Sequence, residues 1–194
     1  MTMGLMKQQF TPAAARALAD LAAARPVIVT GSTSGAFVMM DAAAVTPDWI
    51  NLMAARMRGL IGLAIPLRQA DALGLGLQPR RGRQGGPLYT ASIEARLGIS
   101  TGISAGDRAL TILTAVGGSR DDIVTPGHVF PHLPEGDPRG MADLALRLLA
   151  LAGPAKGAVT CVLLDDTGEI ADTTHATHLA AELGLACVAA DDVI

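Results

Sequence analysis

Apolar residues recur at helical spacing in five segments of the chain. Thr11 followed by Pro12, and Thr46 followed by Pro47, are typical of helix starts, because the hydroxyl caps free amides and proline suits the first helical position. We expect Gly59 to end the second helix. The predicted helices are residues 11–24, 46–57, 104–116, 141–152 and 175–183.

Runs of β-branched and other apolar residues between turn signals predict six strands. Residues 31–35 contain only Gly, Ser and Thr and predict a polar turn between the first two strands. Residues 74–87 are rich in Gly and Arg, which predicts a mobile loop, and residues 165–168 predict a turn. The predicted strands are residues 27–30, 37–40, 60–65, 88–94, 158–164 and 186–189.

Strands and helices alternate without a linker, and 50% of the 194 residues are hydrophobic. Such a chain can bury a sizeable core, so we expect a single α/β (α+β) domain over residues 1–194, with a mixed sheet and surrounding helices. The apolar surplus also favours an oligomer interface, although an all-aliphatic core would give the same composition.

The formal net charge of -3 argues against a nucleic-acid or membrane-surface partner, since both usually require a basic field. Residues 1–10 lack the apolar core of a secretory signal, and no apolar run is long enough to span a membrane. Cys161 and Cys187 lie in apolar surroundings without CxxC spacing, which favours buried free thiols over a disulfide or a metal site. We therefore expect a cytoplasmic protein that binds small molecules or protein partners.

The richest polar cluster is residues 100–108, STGISAGDR, a hydroxyl and glycine turn that precedes a predicted helix. Thr101, Ser104, Asp107 and Arg108 could bind a phosphate together with the amides of the helix start. A capped helix start with a local Asp107/Arg108 pair explains the same residues.

A second cluster, residues 125–132, places His128 between prolines and a glycine, which predicts a rigid turn. Imidazole suits general acid or base catalysis near neutral pH, so His128 is the candidate catalytic residue. A structural, hydrogen-bonded histidine is the alternative.

The segments STGISAGDRALT and DDIVTPGHVFP closely resemble the TTGISAADRA and RPGHVFP motifs of 3,4-dihydroxy-2-butanone 4-phosphate synthases. The resemblance extends from RPVIVT at Arg25 to GAVTCVLLDDTGEIA at Gly157, and so covers nearly all of the chain after Arg25. It implies a cytoplasmic α/β homodimer with active sites near the subunit interface. The reaction that the resemblance implies enolises ribulose 5-phosphate with the help of magnesium, rearranges the carbon skeleton and releases formate.

This sequence departs from the family pattern where the resemblance implies acids and metal ligands. The family's acidic loop after the first strand is replaced by residues 31–37, which hold no carboxylate. Met141 takes the place of a metal-binding histidine, and a thioether is a poor ligand for magnesium. Val162 takes the place of an essential glutamate, so His128 is the one principal catalytic group in place.

The phosphate-binding Arg and Thr that the resemblance implies correspond to Pro138 and Ala142, but Arg139 is one residue away and could serve instead. Two other features have ordinary explanations. His175 and His178 are expected on a surface helix, because no acid or Cys set completes a metal site. The arginines of residues 80–83 are expected to be solvated loop charges, although they could also attract an anion.

We therefore expect a divergent synthase homologue that binds a small anion or sugar phosphate and is retasked or weakened in activity. No cofactor is predicted, because the family's magnesium-ligand positions are not retained. The alternatives are an authentic synthase with displaced residues and a non-catalytic binding or partner subunit.

Overall fold

An eight-stranded mixed sheet forms the centre of the molecule in the computed structural model, which describes residues 10–82 and 85–194. The strands are β1 Val27–Thr30, β2 Phe37–Asp41, β3 Arg58–Ala64, β4 Leu88–Tyr89, β5 Ile93–Ala95, β6 Ile123–Leu133, β7 Ala158–Leu163 and β8 Ala186–Ala189. Seven of them follow the order β4-β6-β3-β7-β2-β1-β8, and β5 pairs with β6 outside this path. β1 is parallel to β8 and β3 is parallel to β6, whereas the other pairs are antiparallel.

Helices cover both faces of the sheet. They are α1 Pro12–Ala22, α2 Pro47–Leu52, α3 Leu67–Ala72, α4 Ala105–Gly117, α5 Met141–Ala152 and α6 Thr173–Leu183. The caps predicted at Thr11 and Thr46 are confirmed, since each hydroxyl accepts a backbone amide. The last helix begins two residues earlier than predicted, because Asp172 caps it by accepting the amide of His175 at 2.7 Å. Within the described ranges, no helix is long and apolar enough to cross a membrane.

Two apolar layers result from the alternation of side chains along the strands. Ile28, Val38 and Met40 face the layer that contains residues of α2, α3, α4 and α6. Val29 and Phe37 face the opposite layer, which α1 and α5 complete. The predicted α/β fold with a mixed sheet and surrounding helices is confirmed.

Two predictions about strands and turns are wrong. Residues 88–94 do not form one strand, because β4 ends at Tyr89 and β5 begins only at Ile93, with Thr90 in an isolated bridge to Leu77. Residues 125–132 are not an isolated turn but part of β6. Pro126 is tolerated there because it lies in a stretch without ladder partners, between Val124, which pairs with Glu94, and Val129.

The second helix ends at Met57 as predicted, but the prediction that Gly59 ends it is wrong. α2 continues into a π-helical turn, Met53–Met57, and Arg58 adopts the left-handed conformation with φ 66°. Gly59 is needed for another reason, since a Cβ at this position would overlap the carbonyl of Val162. The glycine therefore allows β3 and β7 to approach, while the left-handed Arg58 makes the turn.

The predicted loop at residues 74–87 contains the basic segment of the chain. In its described part, Arg80 donates to the carbonyl of Pro87 at 2.7 Å and also to that of Gly86. Leu77 forms an isolated bridge with Thr90. Arg83 lies outside the described residues, so these contacts concern Arg80 alone.

Candidate functional site

The turn that leads into α4 is organised by the carboxylate of Asp107. Asp107 accepts hydrogen bonds from the Ser100 hydroxyl at 2.8 Å, the Ser100 amide at 3.2 Å and the Gly102 amide at 3.0 Å. These bonds, that of the Ser100 hydroxyl above all, lower the pKa of Asp107 below its ordinary value. Ser104 accepts the amide of Asp107 at 3.0 Å and so caps the helix. Asp107 and Ser104 thus shape the turn, and Thr101 is exposed on its surface.

The imidazole of His128 lies against this turn. Its Nδ1 contacts a carboxylate oxygen of Glu94 on β5. Gly102 passes so close to this pair that a Cβ on it would lie 2.7 Å from His128 Nδ1. The His128 side chain is 45% exposed and that of Glu94 only 16%. The fold therefore brings the two predicted clusters together and leaves His128 open to a ligand.

Arg108 supplies a cation at the start of the same helix. Its side chain is half-buried, and burial lowers the pKa of the guanidinium. Its Nε is buried and has no hydrogen-bond partner within residues 10–82 and 85–194. The guanidinium is a candidate donor of charge-assisted hydrogen bonds to an anion.

Arg139 does not join these residues within one chain. Its guanidinium donates to the carbonyl of Gly31 at 3.2 Å and pairs with the carboxylate of Asp191. Gly31 follows β1, whereas His128 is on β6, four strands away in the sheet. Since neighbouring strands are about 4.8 Å apart, roughly 19 Å separates the two strands. One chain thus does not bring the candidate residues of the helix start, His128 and Arg139 into a single site.

Two carboxylates that the sequence analysis missed lie beside the polar turn after β1. The Thr33 hydroxyl donates to Asp137 Oδ2 at 3.0 Å, and the Thr33 amide donates to the carbonyl of Arg139 at 3.0 Å. Asp191 reaches the same region through its ion pair with Arg139. Both aspartates are remote from Thr33 in the sequence. The one feature of the sequence that could have indicated Asp137 is its position two residues before the candidate Arg139.

The two apolar replacements that the resemblance singled out lie at the same end of the sheet as this turn or beneath it. Val162 is half-buried on β7 and pairs with Phe37 at the start of β2. Met141 begins α5 and is 5% exposed, with its side chain in the core between the sheet and the helix. Neither side chain offers the oxygen donor that magnesium prefers.

His175 and His178 lie on α6 beside a polar cleft that Arg56 and Glu182 also line. Arg56 and Glu182 are 2.6 Å apart and neutralise each other. In the part of the chain that the structure describes, no three His, Cys, Asp or Glu side chains form a group that could hold a metal ion.

Comparisons with known proteins identify the family of this chain. A sequence model of 3,4-dihydroxy-2-butanone 4-phosphate synthase matches residues 15–194. A synthase of that name from Neisseria meningitidis serogroup B is 38% identical over 164 residues, which cover 79% of this chain and 45% of that protein. One from Ralstonia nicotianae is 33% identical over 203 residues, which cover 97% of this chain and 89% of that protein. This chain therefore spans about half the length of some relatives and most of others.

Solved structures agree. A two domain 3,4-dihydroxy-2-butanone 4-phosphate synthase from A. baumannii is 29% identical, with a TM-score of 0.86 over 92% of this chain and 56% of that chain. A synthase in complex with two magnesium ions is 25% identical, with a TM-score of 0.86 over 92% of this chain and 93% of that chain. The fold is that of an α/β synthase. The chain belongs to the 3,4-dihydroxy-2-butanone 4-phosphate synthase family.

The prediction that no cofactor is involved is contradicted by the relative that holds two magnesium ions. The prediction compared ligand positions one by one, but magnesium keeps several waters and often takes only one or two protein carboxylates. A single displaced carboxylate can therefore suffice. Asp137 offers a carboxylate beside the turn after β1, where its Oδ2 accepts the Thr33 hydroxyl at 3.0 Å.

Proposed function

We propose that this chain binds a sugar phosphate beside His128 and acts as a divergent member of its family, with altered or weakened synthase activity. The observation that supports this most is the contact of Gly102 with the His128–Glu94 pair, which joins an exposed imidazole to a helix start. The apolar residues Val162 and Met141 support the weakened activity, since neither can move a proton.

In this proposal the phosphate is bound by the amides and hydroxyl of the turn around Thr101 and by Arg108. His128 moves a proton of the sugar through Nε2, the ring nitrogen that Glu94 does not engage. Magnesium, when bound, would polarise neighbouring carbonyl and hydroxyl oxygens of the sugar. Asp137 would hold it, since a carboxylate oxygen suits this ion.

A second copy of the chain is part of the proposal, because one chain leaves Arg139 and Asp137 four strands from His128. Leu60, Ile103 and Leu113 are 49%, 53% and 39% exposed and offer apolar surface for a homodimer. Light scattering at micromolar concentration is expected to give the dimer mass, and a monomer mass would contradict this step. We also propose a cytoplasmic location and no nucleic-acid partner, which the free thiols and the net negative charge support.

The first experiment is incubation with ribulose 5-phosphate and magnesium, with release of formate as the readout. We expect at least roughly 100-fold less formate than from the Ralstonia nicotianae synthase at equal concentration, a loss of the size assigned to one acid/base group. Equal rates would overturn the proposal of weakened activity.

The second experiment measures binding alone. Ribulose 5-phosphate and inorganic phosphate are titrated against the parent protein and the variants Arg108→Ala and His128→Ala, with Arg120→Ala as an exposed control. We expect weaker binding in the first two variants and unchanged binding in the control. If the parent binds neither anion, or both variants bind as well as it does, a non-catalytic partner subunit is the better description.

One observation favours an authentic synthase as the second candidate. The carboxylate of Asp137 lies 3.0 Å from the Thr33 hydroxyl, at the turn where the resemblance implies acids. In that case the parent would release formate at the rate of its relatives, and Asp137→Asn would abolish the release. Asp166→Asn, which changes a fully exposed carboxylate, is the matched control.

A further inference from the structure

Glu94 is held in a narrow space between two glycines. A Cβ at Gly102 would overlap the Glu94 carboxylate, and a Cβ at Gly127 would lie 2.5 Å from Glu94 Cγ. The side chain is only 16% exposed. The backbone at these two glycines therefore packs directly against the Glu94 side chain from both sides.

The pairing of β5 with β6 explains how His128 reaches this carboxylate. The adjacent residues Ile93 and Glu94 pair with Val129 and Val124, which are not adjacent. The intervening residues of β6 have no ladder partners in β5, and this bulge contains His128. Bulges of this kind re-aim a side chain, here toward Glu94.

The contact selects one form of the imidazole. A carboxylate next to Nδ1 favours a proton on that nitrogen, which leaves the lone pair of the neutral ring on Nε2. Within the described ranges Nδ1 of His128 contacts Glu94, and Nε2 makes no hydrogen bond. The exposed side of the ring can thus accept a proton from a ligand.

We propose that Glu94 is the positioning residue of His128: it holds the ring in the Nδ1–H form and aims Nε2 at the bound sugar phosphate. This inference rests on the proposed role of His128 as acid or base. It assigns to Glu94 a function that the sequence motifs did not indicate.

The test reads the tautomer directly. Long-range proton–nitrogen NMR spectra of the ¹⁵N-labelled protein at neutral to basic pH show which ring nitrogen carries the proton. We expect Nδ1–H at His128 in the parent and in Glu169→Ala, a change at an exposed carboxylate. We expect a shift toward the Nε2–H form in Glu94→Ala, and partial return of Nδ1–H in Glu94→Asp. A parent spectrum with Nε2–H, or a Glu94→Ala spectrum like that of the parent, would overturn the proposal. Even if Glu94→Ala does not fold, the parent spectrum alone decides which ring nitrogen of His128 carries the proton.

Formate release separates this inference from the proposed function. If the parent is active, Glu94→Ala should lower kcat about tenfold or more and change KM little, because Glu94 acts through His128 rather than on the substrate. An inactive parent would count against the proposed activity, while the tautomer result would still decide the position of His128. Equal kcat values for the parent and a folded Glu94→Ala would show that the contact is only structural.

Discussion

Nε2 of the buried His132 lies 3.0 Å from the hydroxyl oxygen of Thr160, and this contact joins β6 to β7 across the intervening strand β3. The side chains meet above Gly62, where a Cβ would lie 3.2 Å from both residues. Burial lowers the pKa of His132 from 6.5 to about 4. The imidazole is therefore neutral in the folded protein at neutral pH.

This contact predicts acid sensitivity. Below about pH 6.5 the unfolded chain takes up a proton at His132, whereas the folded chain does so only near pH 4. The free energy of unfolding should therefore fall as the pH is lowered through this window, by roughly 3 kcal/mol from this group. Urea unfolding of the parent and of His132→Gln between pH 7.5 and 4 measures this change in the free energy of unfolding. The variant should show a shallower pH dependence, whereas His178→Gln, at an exposed imidazole, should keep the slope of the parent.

A second prediction concerns Ala24, which follows α1 with φ 60°. The amide of Arg25 donates to the carbonyl of Asp20, so the helix ends in a motif that favours glycine at this position. Ala24→Gly should stabilise the protein by about 0.5–1 kcal/mol, measured from the urea midpoint. Ala23→Gly should bring no such gain, because Ala23 has an ordinary φ of -89°.

Alanine variants at Gly102 and Gly136 separate the effect of the contact beside His128 from the effect of backbone strain. Both have positive φ, but a Cβ at Gly136 meets no atom within 4 Å, whereas one at Gly102 would overlap Glu94 and approach His128. Gly102→Ala should therefore abolish sugar-phosphate binding and cost roughly 1–3 kcal/mol more than Gly136→Ala. Equal binding in the two variants would show that the close approach has no role in the site.

The two thiols should differ in reactivity. Cys161 is fully buried, and desolvation raises the pKa of its thiol to about 12. Cys187 is half-buried, and burial raises the pKa of its thiol. Because the thiolate is the reactive form, an alkylating reagent at pH 8 should modify Cys187 first and Cys161 only after unfolding in urea. Mass spectrometry of the labelled peptides measures both, and rapid labelling of folded Cys161 would contradict its burial.

The sequence was sufficient for the features that depend on local chemistry. The caps at Thr11 and Thr46 and the strand at residues 186–189 follow from residue type and spacing. The prediction failed where contacts between segments far apart in the sequence determine the conformation. Arg58 takes the left-handed conformation that was assigned to a glycine. β6 continues through two prolines, because Pro126 lies in a stretch without ladder partners and Pro131 pairs with Leu63 of β3.

The candidate site shows the same limit. Thr101, Ser104, Asp107 and Arg108 are local neighbours, and their grouping was predicted from their spacing. Glu94 and Asp137 were missed, because each gains its place from another segment, at His128 or Thr33. The separation of Arg139 from His128 depends on the order of strands in the sheet, which no single motif encodes.

The parallel pairing of β1 with β8 has a consequence for how the chain folds. Val27 lies beside Ala186, so one of the first strands of the sequence completes its hydrogen bonds with one of the last. During synthesis the edge of β1 that faces β8 therefore stays unpaired until β8 has left the ribosome. This free edge can meanwhile pair with other chains. The order of the strands therefore delays completion of this part of the sheet relative to its local pairs.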